Sequence, residues 1–542
     1  MKNKLISGIC LGAILIAAFT AQAATPNATA PKGGIINLNY EQEPTSIHPI
    51  LSTDGYSSDI QALMCDSLLG RDTTTYEFKP RIATSWEVSK DGKQYTFKIR
   101  DNVFFHDGKP LTAEDVKFTF EAFVDPKLGA PRWKPYFEGI SKVEVIDPKT
   151  VKFTVKDTYF NNFNIAAGTL IIPKHIYGDV EKSKKLNKSL ICAGPYKLDK
   201  FDRGQVLTLK KDPQWFGNNM PEWKGFNNYD QINVRFYKDE TVQIERIKKG
   251  DIDYILWANP EPYVKKAIGP EWGKKVIKYK VENKVPKGYG FIGWNLRKPL
   301  FQDKNIRLAL AHLANREEMN KKFRYGMSDL VAAPIYTSSD YAPSVKPIAY
   351  DPAKARELLT KAGWADADKD GILEKMIDGK KTNFQFSLSY AAKENEKYWT
   401  MYKEDLKKVG IVMELNFLEW NTFIKQIEEG SFDAVTLRWG NGSVDPDPKQ
   451  IWHSTSAAKG GSNFINYNNP EVDKLIDEGR MILDKPKRVA LLKKAYEKIA
   501  DDAPYLFLFS DRYQFYAATA RVQKPADTFI FDIGIDTWWL KP

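Results

Sequence analysis

Between Lys381 and Trp439 the hydrophobic period changes repeatedly, and few folds accommodate the order in which it does so. Asn383 to Tyr390 alternates as a strand; Tyr398, Met401, Asp405 and Val409 keep helical spacing that ends at Gly410; Ile411, Met413, Leu415 and Phe417 alternate again. Trp420, Ile424 and Ile427 trace a second helix ending at Gly430, and Phe432 to Trp439 reads as a third strand. Strand, helix, strand, helix, strand requires parallel pairing through right-handed crossovers. Ligands of open α/β sheets sit beyond the carboxyl ends of the strands. The stretch Trp439-Gly440-Asn441-Gly442-Ser443-Val444-Asp445-Pro446 is therefore placed at a binding edge.

A second informative stretch runs from Arg81 to Phe123. Tyr95, Phe97 and Ile99 alternate with polar residues, and Asp107-Gly108-Lys109-Pro110 supplies a turn. Thr112 and Asp115 are spaced as a capping box, ahead of Val116, Phe120, Phe123 and Val124 on one helical face. Lys142 to Lys156 reads as a hairpin turning at Asp147-Pro148-Lys149-Thr150. Gly250 stands where a helix needs a left-handed terminator, and Val489, Leu492, Tyr496 and Ile499 share a face near the C-terminal end.

The chain opens with a basic Met1-Lys2-Asn3-Lys4, an apolar Leu5 to Phe19, and Ala21-Gln22-Ala23, the pattern of a secretory signal cleaved near Ala23. Cys10 lies inside the apolar run and does not read as a lipid-attachment site, and no later run approaches the length of a membrane span. With 542 residues, 42% of them hydrophobic, the chain is long enough for a large core and more than one domain. The formal charge of +11 arises from 80 basic residues interspersed with 69 acidic ones, so no nucleic-acid partner is expected. Cys65 and Cys192 read equally as one disulfide or as two buried thiols. The five histidines lack metal-ligand spacing. Asp366, Asp368 and Asp370-Gly371 open like a calcium loop, but position twelve would be Ile377, so an acidic turn is the simpler reading and no metal is expected. G-x-S-x-G and H-E-x-x-H are absent from the sequence, which argues against a secreted hydrolase.

The strings Trp86-x-x-Ser89-x-Asp91-Gly92-x-x-Tyr95-Thr96-Phe97-x-Ile99-Arg100 and Phe105-His106-Asp107-Gly108-Lys109-Pro110-Leu111-Thr112-Ala113-Glu114-Asp115-Val116 closely resemble the signature of the peptide-type extracellular solute-binding proteins. These are the capture subunits of ABC importers for oligopeptides, dipeptides and nickel chelates. Cys192-Ala193-Gly194-Pro195-Tyr196-Lys197-Leu198, Asp212-Pro213-Gln214-Trp215-Phe216-Gly217 and Phe291-Ile292-Gly293-Trp294-Asn295 continue the likeness over nearly the whole chain.

The resemblance implies an α/β, two-lobed periplasmic-binding-protein fold with mixed sheets, hinge strands and an extra small subdomain on the first lobe. On that basis residues 24–75, 192–288 and 505–542 form the first lobe, 76–191 the subdomain and 289–504 the second lobe. The expected function is capture of a peptide or peptide-like solute in the periplasm by a monomer, for delivery to the transmembrane subunits of an ABC permease, without cofactor or bond chemistry. The rivals are another solute, such as a metal chelate, an oligosaccharide or a modified peptide, and use of the same fold as a receptor.

By the same resemblance Thr53, Asp54, Gly55 and Tyr56 line the cleft, Arg132 and Trp133 reach it from the smaller lobe, and Phe509 approaches the ligand. Arg132 reads either as a carboxylate fork or as a surface arginine. Trp439 reads as an aromatic plate at the cleft edge or as a core residue. Peptide-binding members carry an aspartate three residues after that tryptophan, where it pairs with the peptide's α-amino group; here the position is Gly442. Either Asp445 or Asp447 replaces that anchor, or the anchor is missing and Asp445 simply begins a turn before Pro446.

Overall fold

A computed structural model describes residues 24–542 except 53, 131–132, 258, 378, 441–442, 459–460 and 527. The expected signal segment, Thr53, Arg132, Asn441 and Gly442 lie outside the described residues.

Two mixed sheets organise the chain into two lobes. The first sheet has seven strands, ordered Val276–Val281, Gln514–Thr519, Tyr254–Trp257, Ile35–Tyr40, Gln231–Phe236, Val206–Lys211 and Tyr196–Asp202. The second has six, ordered Ser328–Leu330, Tyr505–Asp511, Tyr289–Trp294, Ala434–Trp439, Gln385–Tyr390 and Val412–Phe417. A four-stranded antiparallel sheet, Ala83–Val88, Gln94–Ile99, Thr150–Val155 and Ile140–Asp147, carries the capped helix Ala113–Val124. Its inward residues Phe97, Val151 and Phe153 are fully buried and share one core with Ile36, Leu38 and Ile232 of the first lobe. Alternation at Tyr95, Phe97 and Ile99 thus becomes the seam that fixes this small sheet to the larger one.

The crossover pattern forms as its period requires. Gln385–Tyr390 pairs in parallel with both Val412–Phe417 and Ala434–Trp439, through helices Glu396–Lys407 and Trp420–Glu429. Gly430 caps the second helix at φ 67°, a left-handed conformation costly to any residue with a Cβ. One detail differs from the spacing argument: Phe423 is fully buried while Trp420 is 57% exposed, so the helix turns Phe423 inward together with the expected Ile427.

Cys65 and Cys192 are joined as a disulfide. Beside it, Gly194 approaches so closely that a Cβ would sit 2.5 Å from the Met64 carbonyl, which explains glycine there.

The boundary expected at residue 505 is corrected. Tyr505–Asp511 is buried along six of its seven residues and pairs with Tyr289–Trp294 on one side and Ser328–Leu330 on the other, so it is an interior strand of the second lobe. The chain re-enters the first lobe only at Gln514–Thr519. The lobes are therefore linked by the segment 282–288 and by Arg512 and Tyr513 alone. Among the described residues no helix is long and apolar enough to cross a membrane.

Candidate functional site

A cavity of about 760 Å³ opens where the two lobes and both linking segments meet. Its first-lobe wall is built from strand ends and one helix. Tyr40 and Glu41 end the first strand; Tyr56, Asp59 and Leu63 lie on one face of helix Gly55–Met64; Tyr254 and Trp257 come from a central strand. Tyr196 and Tyr229 add two more rings, and Asp532, Ile533 and Asp536 approach from the C-terminal segment. Opposite them stand Arg438 and Asp511 of the second lobe, with Lys287 and Tyr513 from the linking segments. The site thus combines aromatic and aliphatic side chains with charged ones from both lobes, an apolar surface carrying polar groups at fixed places, as in a binding pocket.

The charges on the two sides differ in their partners. Arg438 Nη2 lies 2.6 Å from Asp511 Oδ2, and Asp511 also accepts from Arg324. Lys287 Nζ donates to the carbonyls of Asn283 and Arg512 at 3.1 and 2.9 Å, and loss of hydration lowers its pKa. Burial raises the Glu41 pKa, with repulsion from Glu240 and from Glu394 across the cleft adding to it. Partial loss of hydration, with Asp54 nearby, pushes the pKa of Asp59 up to about 6, although its side chain stays exposed. Burial, then the charge of Asp532, push Asp536 up to about 7 against the opposing pull of Arg81.

The residues singled out from the sequence are only partly brought together. Tyr56 lines the cavity, its ring 5.6 Å from that of Tyr40. Asp54 instead caps its helix, accepting from Ser57 N at 2.8 Å and from Thr45 Oγ1 at 2.9 Å, and Gly55 opens that helix. Trp133 is half-buried, donates from Nε1 to Ile50 O at 2.9 Å and packs edge-on against Phe123. Trp439 stacks on Phe291 at 5.9 Å in the second-lobe core. Phe509 is buried beside Tyr398. Gly440 is exposed, with nothing within 4 Å of a built Cβ.

Asp445 accepts from Tyr341 Oη at 2.9 Å and faces Arg488 Nη2 at 3.4 Å. Asp447 accepts from Tyr159 Oη at 2.6 Å and Arg480 Nε at 2.9 Å. Both carboxylates already hold a cation and a hydroxyl, so neither is a free anchor. Tyr159 belongs to the small subdomain, so the Asp447 contact also joins the lobes, as does Glu261 with Lys397 at 2.8 Å.

The acidic turn draws Asp366, Asp368 and Asp370 together with Glu374, which stands at position nine of the calcium-loop template. Lys381 supplies a positive charge there, pairing with Asp368 and lying 3.7 Å from Glu374 Oε1.

Sequence reasoning missed Asp59, Asp532, Asp536 and Arg438. Asp59 was within reach, because Tyr56, Asp59 and Leu63 are spaced along one helical face. The pair at 532 and 536 lies far along the chain from the other lining residues and carries no local signal.

This architecture is that of a two-lobed binding protein. The chain belongs to family 5 of the bacterial extracellular solute-binding proteins, whose middle-region model matches residues 77–461. It is 30% identical over 531 residues to the oligopeptide-binding protein AppA of Bacillus subtilis (strain 168), covering 94% of each chain. It is 27% identical over 533 residues to di/tripeptide-binding protein 1 of Pseudomonas aeruginosa (strain UCBPP-PA14), covering 93% of each. The solved structure of Bacillus subtilis AppA in complex with a nonapeptide superposes with a TM-score of 0.80 at 29% identity, covering 95% of this chain and 100% of that one. NikZ from Campylobacter jejuni in complex with Ni(L-His), at 23% identity and a TM-score of 0.77, shares the fold.

Proposed function

We propose that this protein captures peptides or peptide-like solutes in the periplasm, after loss of residues 1–23, and delivers them to the transmembrane subunits of an ABC permease. The observation that carries this reading is the cavity of about 760 Å³ walled by both lobes and both linking segments, so that a guest touches every part that would move on closure. The names of the relatives, oligopeptide- and di/tripeptide-binding proteins, support peptide as the solute class. The residues that line the cavity are suited to holding a guest: tyrosine and tryptophan rings give contact area at low entropic cost, and the charged groups set orientation. Binding favours the closed state in proportion to the contacts a guest makes only there.

In the test, purified protein is melted with and without mixed peptide pools of two to nine residues. A rise in melting temperature with peptides is expected, since a ligand that binds the folded state stabilises it by mass action. A rise with oligosaccharides or metal chelates but with no peptide pool would transfer the function to that other solute class.

A further inference from the structure

We propose that a smaller cavity beside the main one, built around Arg71, is a subsite for a carboxylate of the ligand, held by the Arg71 guanidinium with the Asn161 amide and the Ser443 hydroxyl. This rests on the peptide-capture reading and narrows it. The cavity measures about 260 Å³ and is lined from three parts of the chain: Arg71 of the first lobe, Asn161 and Asn164 of the small subdomain, and Ser443 of the second lobe. Gly70 lines it too, and a Cβ built there would collide with Nε of Arg81, which lines the main cavity, so the two spaces adjoin.

Local structure holds the arginine in place. Leu69–Arg71 pairs antiparallel with Phe78–Pro80, which sets Arg71 directly opposite Phe78, and the guanidinium lies 3.5 Å from the centre of the Phe78 ring. Tyr76, at φ 63° in the connection between these strands, accepts at its carbonyl from Arg71 Nη1 at 2.8 Å. Nη2 donates to Asn164 Oδ1, and Asn164 Nδ2 in turn donates to Asn161 Oδ1 at 2.7 Å. Direct hydrogen bonds thus bring the three side chains together and orient the planar fork in advance.

The cavity is short of negative charge. A guanidinium has five N–H donors and no acceptor, and among the described residues protein groups use only two of those of Arg71. No aspartate or glutamate lines the cavity, and among the described residues none forms an ion pair with Arg71. The arginines of the main cavity are placed differently: Arg81 is paired with Asp66 and Arg438 with Asp511. Asp445, the carboxylate whose charge reaches Arg71, is already shared by Arg488 and Lys485 at 3.4 and 3.6 Å. A half-buried cation without a partner is costly, so Arg71 keeps an unmet attraction for an anion.

The other polar groups agree in sign. Among the described residues Asn161 Nδ2 donates to no protein acceptor, and neither does the Ser443 hydroxyl, whose oxygen accepts from the Asp445 N–H at 3.2 Å. Each offers a donor, and an ionised carboxylate, which only accepts, can use them together with the fork. An ammonium group would meet a like charge there.

A peptide carries carboxylate in two places, its α-carboxylate and an acidic side chain, and the experiment separates them. Pentapeptide pools are prepared as matched sets with glutamate or glutamine at one position, each with a free or an amidated carboxyl terminus. Affinities are measured by isothermal titration calorimetry at pH 7 on the wild type and on two variants.

A preference of about tenfold or more is expected for the carboxylate member of at least one matched pair. Glutamate over glutamine assigns the subsite to a side chain, and free over amidated assigns it to the α-carboxylate. Arg71→Met should bring that ratio to within about twofold. Because Arg71 also holds Tyr76 and Asn164, Ser443→Asp is measured alongside: the position is exposed, the change leaves those bonds untouched, and it sets a competing carboxylate in the cavity, so it should lower the same ratio. Peptide binding with no preference for carboxylate, or an undiminished ratio in either folded variant, overturns the inference while leaving peptide capture intact. Absence of binding by every pool overturns both.

Discussion

The two sides of the cleft use aspartate in opposite ways. On the second lobe, Asp445, Asp447 and Asp511 each meet an arginine, and Asp445 and Asp447 a tyrosine hydroxyl as well. On the first lobe Asp59, Asp532 and Asp536 line the cavity without an ion pair, Arg81 near Asp536 being paired with Asp66 instead. The contrast teaches that a carboxylate near a binding cleft is not by itself an anchor. Where its charge is already matched it holds the scaffold.

That contrast can be broken first by stability. Arg488 is nearly buried and joins Asp445, Tyr341 and the carbonyls of Ile482 and Leu483. Arg488→Ala should therefore cost on the order of 3 kcal/mol in urea unfolding, because it leaves Tyr341 and two buried carbonyls without their donor and Asp445 with Lys485, 3.6 Å away, as its remaining cation. Asp536→Asn should cost less than about 1 kcal/mol at pH 8, since it removes a repulsion instead of a partner. Equal losses would erase the distinction between the two walls.

A smaller effect sharpens it through pH. The folded-state carboxyls of Asp59 and Asp536 hold protons more tightly than unfolded ones, with values of about 6 and about 7. Their stabilising contribution is therefore complete below the ordinary carboxylate range and is lost as pH rises through 6 to 7. The charged and titratable groups facing them are Asp54, Tyr40, Tyr56 and Tyr254 around Asp59, and Asp532, Arg81, Tyr196 and Tyr229 around Asp536. Ligand-free wild type should lose melting temperature between pH 5 and pH 8, and Asp59→Asn/Asp536→Asn should flatten that decline. An unchanged slope would show that the first-lobe acids are not proton-loaded.

The smallest expected change is at Gly440. Its φ is ordinary and nothing stands within 4 Å of a built Cβ, so Gly440→Ala should shift stability by less than about 0.5 kcal/mol. If the same variant weakens ligand binding measurably, the loop after the last crossover strand reaches the guest, and the second lobe contributes more than a paired frame.

The fold was legible because its signals are periodic and local. The crossovers from Gln385 to Trp439, the capped helix after Thr112 and the small sheet around Phe97 each follow from spacing within a dozen or so residues. The strand at 505–511 was misassigned to the first lobe because its continuous burial reads the same in either sheet; only its partners decide. The site was less legible for a similar reason. Arg438 and Trp439 are neighbours on a strand, and a period of two sends them to opposite faces. Reading favoured the larger ring, whereas Arg438 lines the cavity and Trp439 packs on Phe291. Likewise nothing local distinguishes Asp445, which is matched by Arg488, from Asp536, which is not; the difference lies in contacts made dozens or hundreds of residues away.

The brevity of the link at Arg512 and Tyr513 has a consequence for selectivity. Asp511 is clamped by two arginines of one lobe, while Tyr513 and Gln514 wall the same cavity on the way into the other, so there is no slack in which a turn between lobes could be absorbed unnoticed. A guest resting on Tyr513 sits at the pivot, where surroundings change least as the jaws swing. Discrimination between open and shut must then be earned farther along the lever, at meetings such as Tyr159 with Asp447 and Glu261 with Lys397.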